Sequence, residues 1–101
     1  MIGLLLALSL TTSMHSVTLK WTNNVDCPNR IYRASQAGGP YARLFESTNA
    51  ITNYVDTDVE ARKTYFYVVT SYCPTTTPPE SSYSNEVRAD IPTKHRFGGR
   101  Q

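Results

Sequence analysis

Hydrophobic and polar residues alternate in two segments of the chain, residues 16–21 and residues 64–70. A period of two places alternate side chains on one face of an extended strand. The side chains predicted to face inward from these two strands are Val17, Leu19, Trp21, Tyr65, Tyr67 and Val69. Two such apolar faces must be buried against each other, so the pattern predicts a β-sandwich.

Four further segments have the composition of short strands. They are separated by clusters of Gly, Pro, Asn, Asp and Ser, which are typical of turns and loops. The additional strands are predicted at residues 30–34, 41–45, 49–54 and 83–91. Ile31 and Val87 in these strands complete the predicted core. With no convincing helical period, this spacing predicts an all-β sandwich of about seven strands.

The N-terminal segment over residues 1–14 is apolar and has two interpretations. One is the hydrophobic part of a secretory signal, with small residues at 11–13 as a cleavage region, although no Lys or Arg precedes the apolar run. The other is that residues 4–12 form the first strand of the sandwich. The run is too short to span a bilayer as a helix, so membrane contact is expected only during export.

The net charge does not identify a binding partner. The 101-residue chain has a formal charge of +2, but residues 15–91 contain seven Lys/Arg and eight Asp/Glu. The positive surplus comes from Lys94, Arg96 and Arg100 in a basic tail predicted to be flexible, residues 93–101. A near-neutral domain lacks the electrostatic footprint of a nucleic-acid-binding protein, so no nucleic acid partner is expected.

Five segments taken together resemble a fibronectin type III domain, particularly the bacterial kind. They are SVTLKW at 16–21, IYRAS at 31–35, GGPY at 38–41, KTYFYVVT at 63–70 and YSNEV at 83–87. The resemblance covers residues 15–92 and implies an all-β, seven-stranded antiparallel sandwich of the immunoglobulin-like type, with strands B, C, C′, E, F and G in that order. It implies that Trp21 is the core tryptophan and that the Tyr65 hydroxyl forms a tyrosine corner. The chain departs from the pattern at Arg62, where glycine is common, and at Asn29, where an inward tyrosine is common.

The two cysteines are placed near each other by this resemblance. In the fibronectin type III fold, the loop between strands B and C and the loop between F and G lie at the same end. Cys27 precedes strand C and Cys73 follows strand F, so a disulfide is geometrically reasonable. It would contribute about 4 kcal/mol in the chain-entropy model. The bridge requires export, since the cytosol keeps thiols reduced, and the alternative is two unpaired, buried thiols.

The residue types that perform catalysis or bind metals are not grouped in the sequence. His15 and His95 flank the predicted domain, and no nucleophile–base motif or phosphate-binding loop occurs. Asp56, Asp58 and Glu60 alternate as calcium ligands do, but the glycine and distal glutamate of a calcium loop are missing. We interpret this triplet as a solvated connection between strands, and expect no enzyme activity, no catalytic residue, no metal and no cofactor.

The exposed loops are the remaining candidates for a function. The candidate binding residues are Asn23, Asn24, Asp26, Tyr72, Thr75, Thr76, Thr77 and Tyr83. They predict a non-enzymatic, secreted or cell-surface binding or structural module whose loops at one end recognise a protein or a polysaccharide. One alternative is an assembly subunit that forms a homo-oligomer, such as a surface filament, through the apolar segment. Another is an accessory domain of a carbohydrate-active system, and the simplest is that the loops are only soluble connections.

Overall fold

The computed structural model describes residues 8–13 and 15–93, which form seven strands in two antiparallel sheets. The strands are β1 (Leu8–Ser13), β2 (Ser16–Trp21), β3 (Asn29–Ala34), β4 (Ala42–Glu46), β5 (Asn53–Asp56), β6 (Thr64–Ser71) and β7 (Val87–Asp90). One sheet has the order β1-β2-β5 and the other has the order β4-β3-β6-β7. The predicted seven-stranded sandwich is therefore confirmed. Within the described residues, no helix is long and apolar enough to cross a membrane.

The core lies between the two sheets and is built from alternating strand positions. Six of the residues predicted for the core are at most 5% exposed: Val17, Leu19, Trp21, Ile31, Tyr67 and Val69. The other two, Tyr65 and Val87, are half-buried and pack against this cluster. The period of two in β2 and β6 thus directs one row of side chains from each sheet into a common apolar layer.

Strand β1 is part of the folded unit. It pairs with β2 along its whole length, and Leu8 is only 3% exposed. The side chain of Asn85 fixes the start of the strand, because the Leu8 N–H donates to Asn85 Oδ1 at 2.9 Å and Asn85 Nδ2 donates to the Leu8 carbonyl at 3.2 Å. Leu8 therefore belongs to the core and its backbone is tied to the segment that leads into β7.

Two predicted regions extend beyond the part of the chain that the structure describes. Residues 1–7 and 14 of the apolar segment lie outside it, as do residues 94–101 of the tail. The secretory signal and the division into segment, domain and tail stay predictions. Assembly through the apolar segment also stays a prediction, although the described strand β1 pairs with β2 of its own chain.

The two strands predicted at residues 49–54 and 83–91 have different bounds in the structure. The first is β5, Asn53–Asp56, because the backbone before it is bound by side chains; the Ile51 N–H, for example, donates to Asn29 Oδ1 at 2.9 Å. The second is β7, Val87–Asp90. Before it, Ser84 Oγ takes the place of a ladder carbonyl by accepting the Val69 N–H at 2.9 Å. The side chains of Asn29 and Ser84 therefore take the place of regular strand pairing at these two positions.

The tyrosine corner is present in the loop between β5 and β6. The Glu60 N–H donates to the Tyr65 hydroxyl at 2.9 Å, which ties the loop to the beginning of β6. Arg62 in the same loop has φ 67°, in the left-handed region that favours glycine. The backbone therefore has a conformation that suits the glycine expected here from the resemblance, although an arginine occupies the position.

Asn29 is the polar centre of the sandwich near the start of β3 and is 0% exposed. Its Oδ1 accepts from the Ile51 N–H at 2.9 Å and from Asn23 Nδ2 at 3.1 Å. Its Nδ2 donates to the Thr70 carbonyl at 3.1 Å. One amide thus joins β6 to the segments that follow β2 and precede β5, and its hydrogen bonds offset the cost of burying a polar group where a tyrosine is common.

The buried position of Asp56 contradicts the prediction that Asp56, Asp58 and Glu60 form a solvated connection between strands. Its side chain is 2% exposed and accepts from Arg33 Nη1 at 2.8 Å and from the Tyr67 hydroxyl at 2.7 Å. A buried carboxylate is stable only when it is paired, and Arg33 reaches it from the other sheet. The prediction is therefore wrong for Asp56, whereas Asp58 and Glu60 are exposed.

The disulfide between Cys27 and Cys73 is confirmed. It joins residues 46 positions apart with a Cα–Cα distance of 5.3 Å. It connects the loop over residues 22–28 to the loop over residues 73–79, and we call this pair of loops the loop end.

Candidate binding surface

Six of the predicted binding residues lie at the loop end. Four have exposed side chains: Asn24, Asp26, Thr75 and Thr77. The other two are bound within the chain, since Asn23 Nδ2 donates to the Ile51 carbonyl at 2.6 Å and Thr76 Oγ1 donates to the Cys73 carbonyl at 3.0 Å. The loop end is therefore a polar surface with a few exposed side chains on a framework that the disulfide closes.

The two predicted tyrosines, Tyr72 and Tyr83, lie away from the loop tips, on the outer face of the four-stranded sheet. The ring of Tyr83 makes edge-to-face contacts with the rings of Tyr32 and Tyr41, at centroid distances of 5.5 Å and 5.0 Å. Tyr83 is 50% exposed. We call the row Tyr41, Tyr83 and Tyr32 the tyrosine strip, in which the rings of Tyr41 and Tyr32 are half-buried.

Strand β3 and the turn that follows it position two of the three tyrosines of the strip, Tyr32 and Tyr41. Tyr32 is an outward position of β3, directly opposite Val68 of β6. Tyr41 follows a turn in which Gly38 and Gly39 have φ +81° and +101°, conformations that glycine adopts without strain. A Cβ on Gly39 would meet the Tyr41 backbone nitrogen at 3.1 Å, so the glycine allows the chain to fold back here.

Tyr83 reaches the strip on a segment that follows β6. The Ser81 N–H donates to the Ser71 carbonyl and the Ser84 N–H donates to the Val69 carbonyl, each at 2.9 Å. These bonds hold residues 81–84 beside β6 and place the Tyr83 ring over the sheet. The serines around Tyr83 therefore position the aromatic ring of the candidate surface.

Glu80 fixes the end of the strip at Tyr32. Its carboxylate accepts from the Tyr32 hydroxyl, from Thr70 Oγ1 at 2.7 Å and from Arg30 Nη1 at 3.0 Å. Burial acts to raise the pKa of Glu80, but these hydrogen bonds and the Arg30 charge outweigh it and hold that pKa below its usual 4.5. Arg30 is held in turn, because its guanidinium lies 3.9 Å above the ring of Tyr72.

Glu86 fixes the opposite end of the strip. Its Oε1 accepts from the Gly38 N–H at 2.8 Å and from the Tyr41 hydroxyl. Burial, the hydrogen bond to Glu86 and the charge of that carboxylate raise the pKa of Tyr41 to about 12. Glu86 therefore links the turn after β3, through hydrogen bonds, to the residues that precede β7.

A cavity adjoins the tyrosine strip at the end where Tyr32 lies. It is shallow, has a volume of about 370 Å³ and is lined by Tyr32, Glu80, Ser81, Ser82 and Tyr83. It combines aromatic rings with hydroxyl and carboxylate groups, a combination that suits ligands with both apolar and hydroxyl-rich faces. Among the residues that the structure describes, no group of three His, Cys, Asp or Glu is placed to hold a metal ion.

A second exposed aromatic pair lies where the two sheets meet at an open edge. Phe45 of β4 is 40% exposed and stacks on Tyr54 of β5, with centroids 4.9 Å apart and an angle of 25° between the rings. Phe45 lies opposite Ile31, so it shares the inner face of its sheet. We interpret this pair as the closure of the core at that edge.

Sequence reasoning identified Tyr83 and missed four other residues of the candidate surface: Tyr32, Tyr41, Glu80 and Glu86. A signal for Tyr32 was present, because its alternation with the inward Ile31 places it on the outer face of β3. The contact of Tyr41 with Glu86 joins positions 45 residues apart, and no local pattern indicates it.

The comparison with known sequences finds one enzyme that contains a similar region. No protein-family model matches the chain. Amylopullulanase of Thermoanaerobacter thermohydrosulfuricus is 33% identical over 92 residues, which cover 80% of this chain and 6% of the amylopullulanase. The chain thus spans only about 6% of the length of the curated relative that it matches.

The comparison with solved structures identifies the fold. An Fn3-like protein from Clostridium thermocellum matches with a TM-score of 0.77 at 23% identity, covering 94% of this chain and 98% of that one. The pectate lyase PelI from Erwinia chrysanthemi, in a complex with tetragalacturonic acid, matches with a TM-score of 0.69 at 19% identity, covering 81% of this chain and 27% of the lyase. With its two sheets in this strand order and its tyrosine corner, the chain has the fold of a fibronectin type III domain.

Proposed function

We propose that the chain is a non-catalytic accessory module that binds polysaccharide through the tyrosine strip. The observation that carries this proposal is the row of Tyr41, Tyr83 and Tyr32 on the outer face of the four-stranded sheet. The hydroxyls of Tyr32 and Tyr41 are tied to carboxylates, which orients their rings before any ligand arrives. Side chains fixed in advance lose little conformational entropy on binding.

The strip is chemically complementary to a sugar chain. The C–H groups of a pyranose ring form an apolar face that packs on an aromatic ring, while its hydroxyls need hydrogen-bond partners. The half-exposed ring of Tyr83 offers the first kind of contact. Ser81, Ser82 and the Glu80 carboxylate line the adjacent cavity and offer the second kind.

The names of the similar proteins support an accessory role in a carbohydrate-active system. An amylopullulanase contains a related region that is 6% of its length, and a pectate lyase contains this fold in 27% of its length. A domain that forms a small part of two different enzymes suits a role beside a catalytic domain. The fold by itself does not determine function, so the tyrosine strip carries the argument.

We place the module outside the cytoplasm, in a secreted or cell-surface protein. The Cys27–Cys73 disulfide persists in an oxidising compartment, whereas cytosolic thiol systems keep such cysteines reduced. Polysaccharide outside the cell is a ligand that an exported module meets.

Affinity electrophoresis against pullulan, amylopectin, polygalacturonate and β-1,2-glucan tests the proposed function. We expect at least one of these polysaccharides to retard the wild-type chain. Tyr83→Ala should lower the affinity about tenfold, roughly 1.4 kcal/mol, because it removes the most exposed ring of the strip. Phe45→Ala is the matched control, since it removes an exposed ring at the other aromatic pair. Absence of binding to the whole panel, or equal losses in the two variants, would overturn the proposal.

The loop end is a second candidate site, favoured by the disulfide that holds its two loops together. Its exposed side chains would recognise a protein or polysaccharide as the sequence predicted, with Asp26 and Thr75 on different loops of the pair. The double variant Asp26→Ala, Thr75→Ala separates the two sites. If it abolishes binding while Tyr83→Ala does not, recognition takes place at the loop end.

A further inference from the structure

Glu86 has one carboxylate oxygen in use and one available. Both the Gly38 N–H and the Tyr41 hydroxyl donate to Oε1. Among the described residues no donor is bound to Oε2, and the side chain is exposed. An acceptor of this kind, held at its other oxygen, is already oriented for a ligand.

Glu80 at the other end of the strip differs from Glu86 in this respect. Its Oε1 accepts from Arg30, and its Oε2 accepts from both Tyr32 and Thr70. Both oxygens of Glu80 are therefore used by the protein. Of the two carboxylates that anchor the strip, Glu86 is the one with an oxygen that accepts no hydrogen bond from the described residues.

The arginines on the same outer face are already paired with carboxylates. Arg30 pairs with Glu46 at 3.2 Å and with Glu80 at 3.0 Å. Arg43 pairs with Glu46 at 3.1 Å, and Arg88 pairs with an aspartate of its own strand at 3.1 Å. Glu86, by contrast, has no ion-pair partner among the described residues. The end of the strip at Tyr41 therefore presents an uncompensated negative charge.

We propose that the tyrosine strip binds neutral sugar chains and excludes uronic acid chains, and that Glu86 makes this selection. A sugar hydroxyl donates to Glu86 Oε2 while the ring packs on Tyr83. A uronic acid places a carboxylate near Glu86, and no unpaired cation among the described residues of this face offsets the repulsion. The inference rests on the proposed function, because it concerns the ligand class of the same site.

The test compares pullulan, a neutral chain, with polygalacturonate, an acidic chain, by affinity electrophoresis of the wild type and Glu86→Gln. The amide keeps an oxygen for Gly38 and Tyr41 but turns the available acceptor into an uncharged donor. We expect the wild type to bind pullulan and to ignore polygalacturonate. Glu86→Gln should weaken pullulan binding about fivefold, since a charge-assisted bond becomes neutral, and should gain measurable binding to polygalacturonate.

Glu60→Gln is the matched control, because it makes the same chemical change in the loop between β5 and β6. It should leave both affinities unchanged. Glu86→Ala is a further variant that removes both oxygens, and its far-ultraviolet circular dichroism and unfolding midpoint show whether the turn at Gly38 is retained.

The outcomes separate this inference from the function on which it rests. If wild-type protein binds polygalacturonate as well as pullulan, or if Glu60→Gln and Glu86→Gln change selectivity equally, Glu86 does not select the ligand, and the proposed function stands. If neither the wild type nor a folded Glu86→Gln variant binds any polysaccharide, the proposed function fails as well.

Discussion

The two faces of the four-stranded sheet both carry tyrosine hydroxyls bound to carboxylates, in opposite environments. On the inner face, Tyr67 is fully buried and donates to Asp56 at 2.7 Å. On the outer face, Tyr41 donates to Glu86 beside solvent. Burial and the bond to Asp56 raise the pKa of Tyr67 far above its usual 10.0, while that of Tyr41 rises to about 12. The same chemical pair thus stabilises the core on one side and orients an exposed ring on the other.

The two faces of one sheet therefore have separate roles, one in stability and one at the surface. A buried carboxylate that loses a partner leaves an uncompensated charge in a medium of low polarity, which costs several kcal/mol. An exposed carboxylate is resolvated by water, so the loss of a partner costs little. Substitutions on the inner face should therefore change stability, and substitutions on the outer face should change binding.

The largest effect is expected from Asp56→Ala on the inner face. The substitution leaves Arg33 and the Tyr67 hydroxyl without their common acceptor, so we expect the free energy of unfolding to fall by about 3 kcal/mol. Urea unfolding followed by tryptophan fluorescence of Trp21 measures the change. Asp58→Ala is the control, because the Asp58 side chain is 91% exposed and lies 3.7 Å from Arg33. Similar losses in the two variants would show that burial does not distinguish these carboxylates.

A smaller effect on the same face is expected from Asn29→Ala. It leaves the partly buried Ile51 N–H and the buried Thr70 carbonyl without their side-chain partner, and we expect a loss of about 2 kcal/mol. Ser71→Ala is the matched control, since Ser71 is 0% exposed and its Oγ has no hydrogen-bond partner among the described residues. The control should change stability by less than about 0.5 kcal/mol. If Ser71→Ala destabilises as much as Asn29→Ala, lost packing explains both results.

The inner face was largely predictable from the sequence, and the outer face was not. The alternation in residues 64–70 identifies the inward row that includes Tyr67, because burial imposes a period of two on one strand. The tyrosine strip joins three segments through contacts such as that between Tyr41 and Glu86, which are 45 residues apart. A strand pattern contains no information about such a contact. Asp56 was misread for the same reason, since its partner Arg33 lies on another strand and in the other sheet.

The disulfide was more predictable than the contacts of the outer face and less predictable than the inward residues of the inner face. Neither cysteine has a local pattern that reveals its partner, but the resemblance to a known fold placed both loops at one end. The bond between Cys27 and Cys73 confirms that inference. Long-range contacts were thus predictable where a whole fold could be recognised, and were missed where they depend on side chains particular to this chain.

An intermediate effect with a pH dependence is expected from Glu80→Gln on the outer face. The pKa of Glu80 is lowered in the folded chain, so its contribution is present above its ordinary value of 4.5 and is lost as the pH falls through the lowered value. We expect the variant to lose about 1 kcal/mol at neutral pH, a figure reduced by the partial exposure of the site. The difference between variant and wild type should shrink in acid. Urea unfolding at about pH 7 and about pH 3 measures it, and a difference that does not depend on pH would contradict this account.

The smallest effect is expected from Tyr41→Phe, which removes only the hydroxyl that donates to Glu86. At neutral pH the free energy of unfolding should change by less than about 0.5 kcal/mol, because the bond is exposed and Glu86 keeps the Gly38 N–H. The raised pKa of Tyr41, about 12, means that its contribution is present below pH 10 and is lost as the pH rises from 10 towards 12. The variant should therefore lose less stability than the wild type between about pH 9 and about pH 11.

Tyr67→Phe is the comparison for this variant on the inner face. It removes the hydroxyl that donates to Asp56 in the core, so it should lower the free energy of unfolding more than Tyr41→Phe does at every pH. If Tyr41→Phe and Tyr67→Phe lower the free energy of unfolding equally at neutral pH, burial does not distinguish the two tyrosine–carboxylate bonds, and the contrast between the two faces of the sheet is wrong.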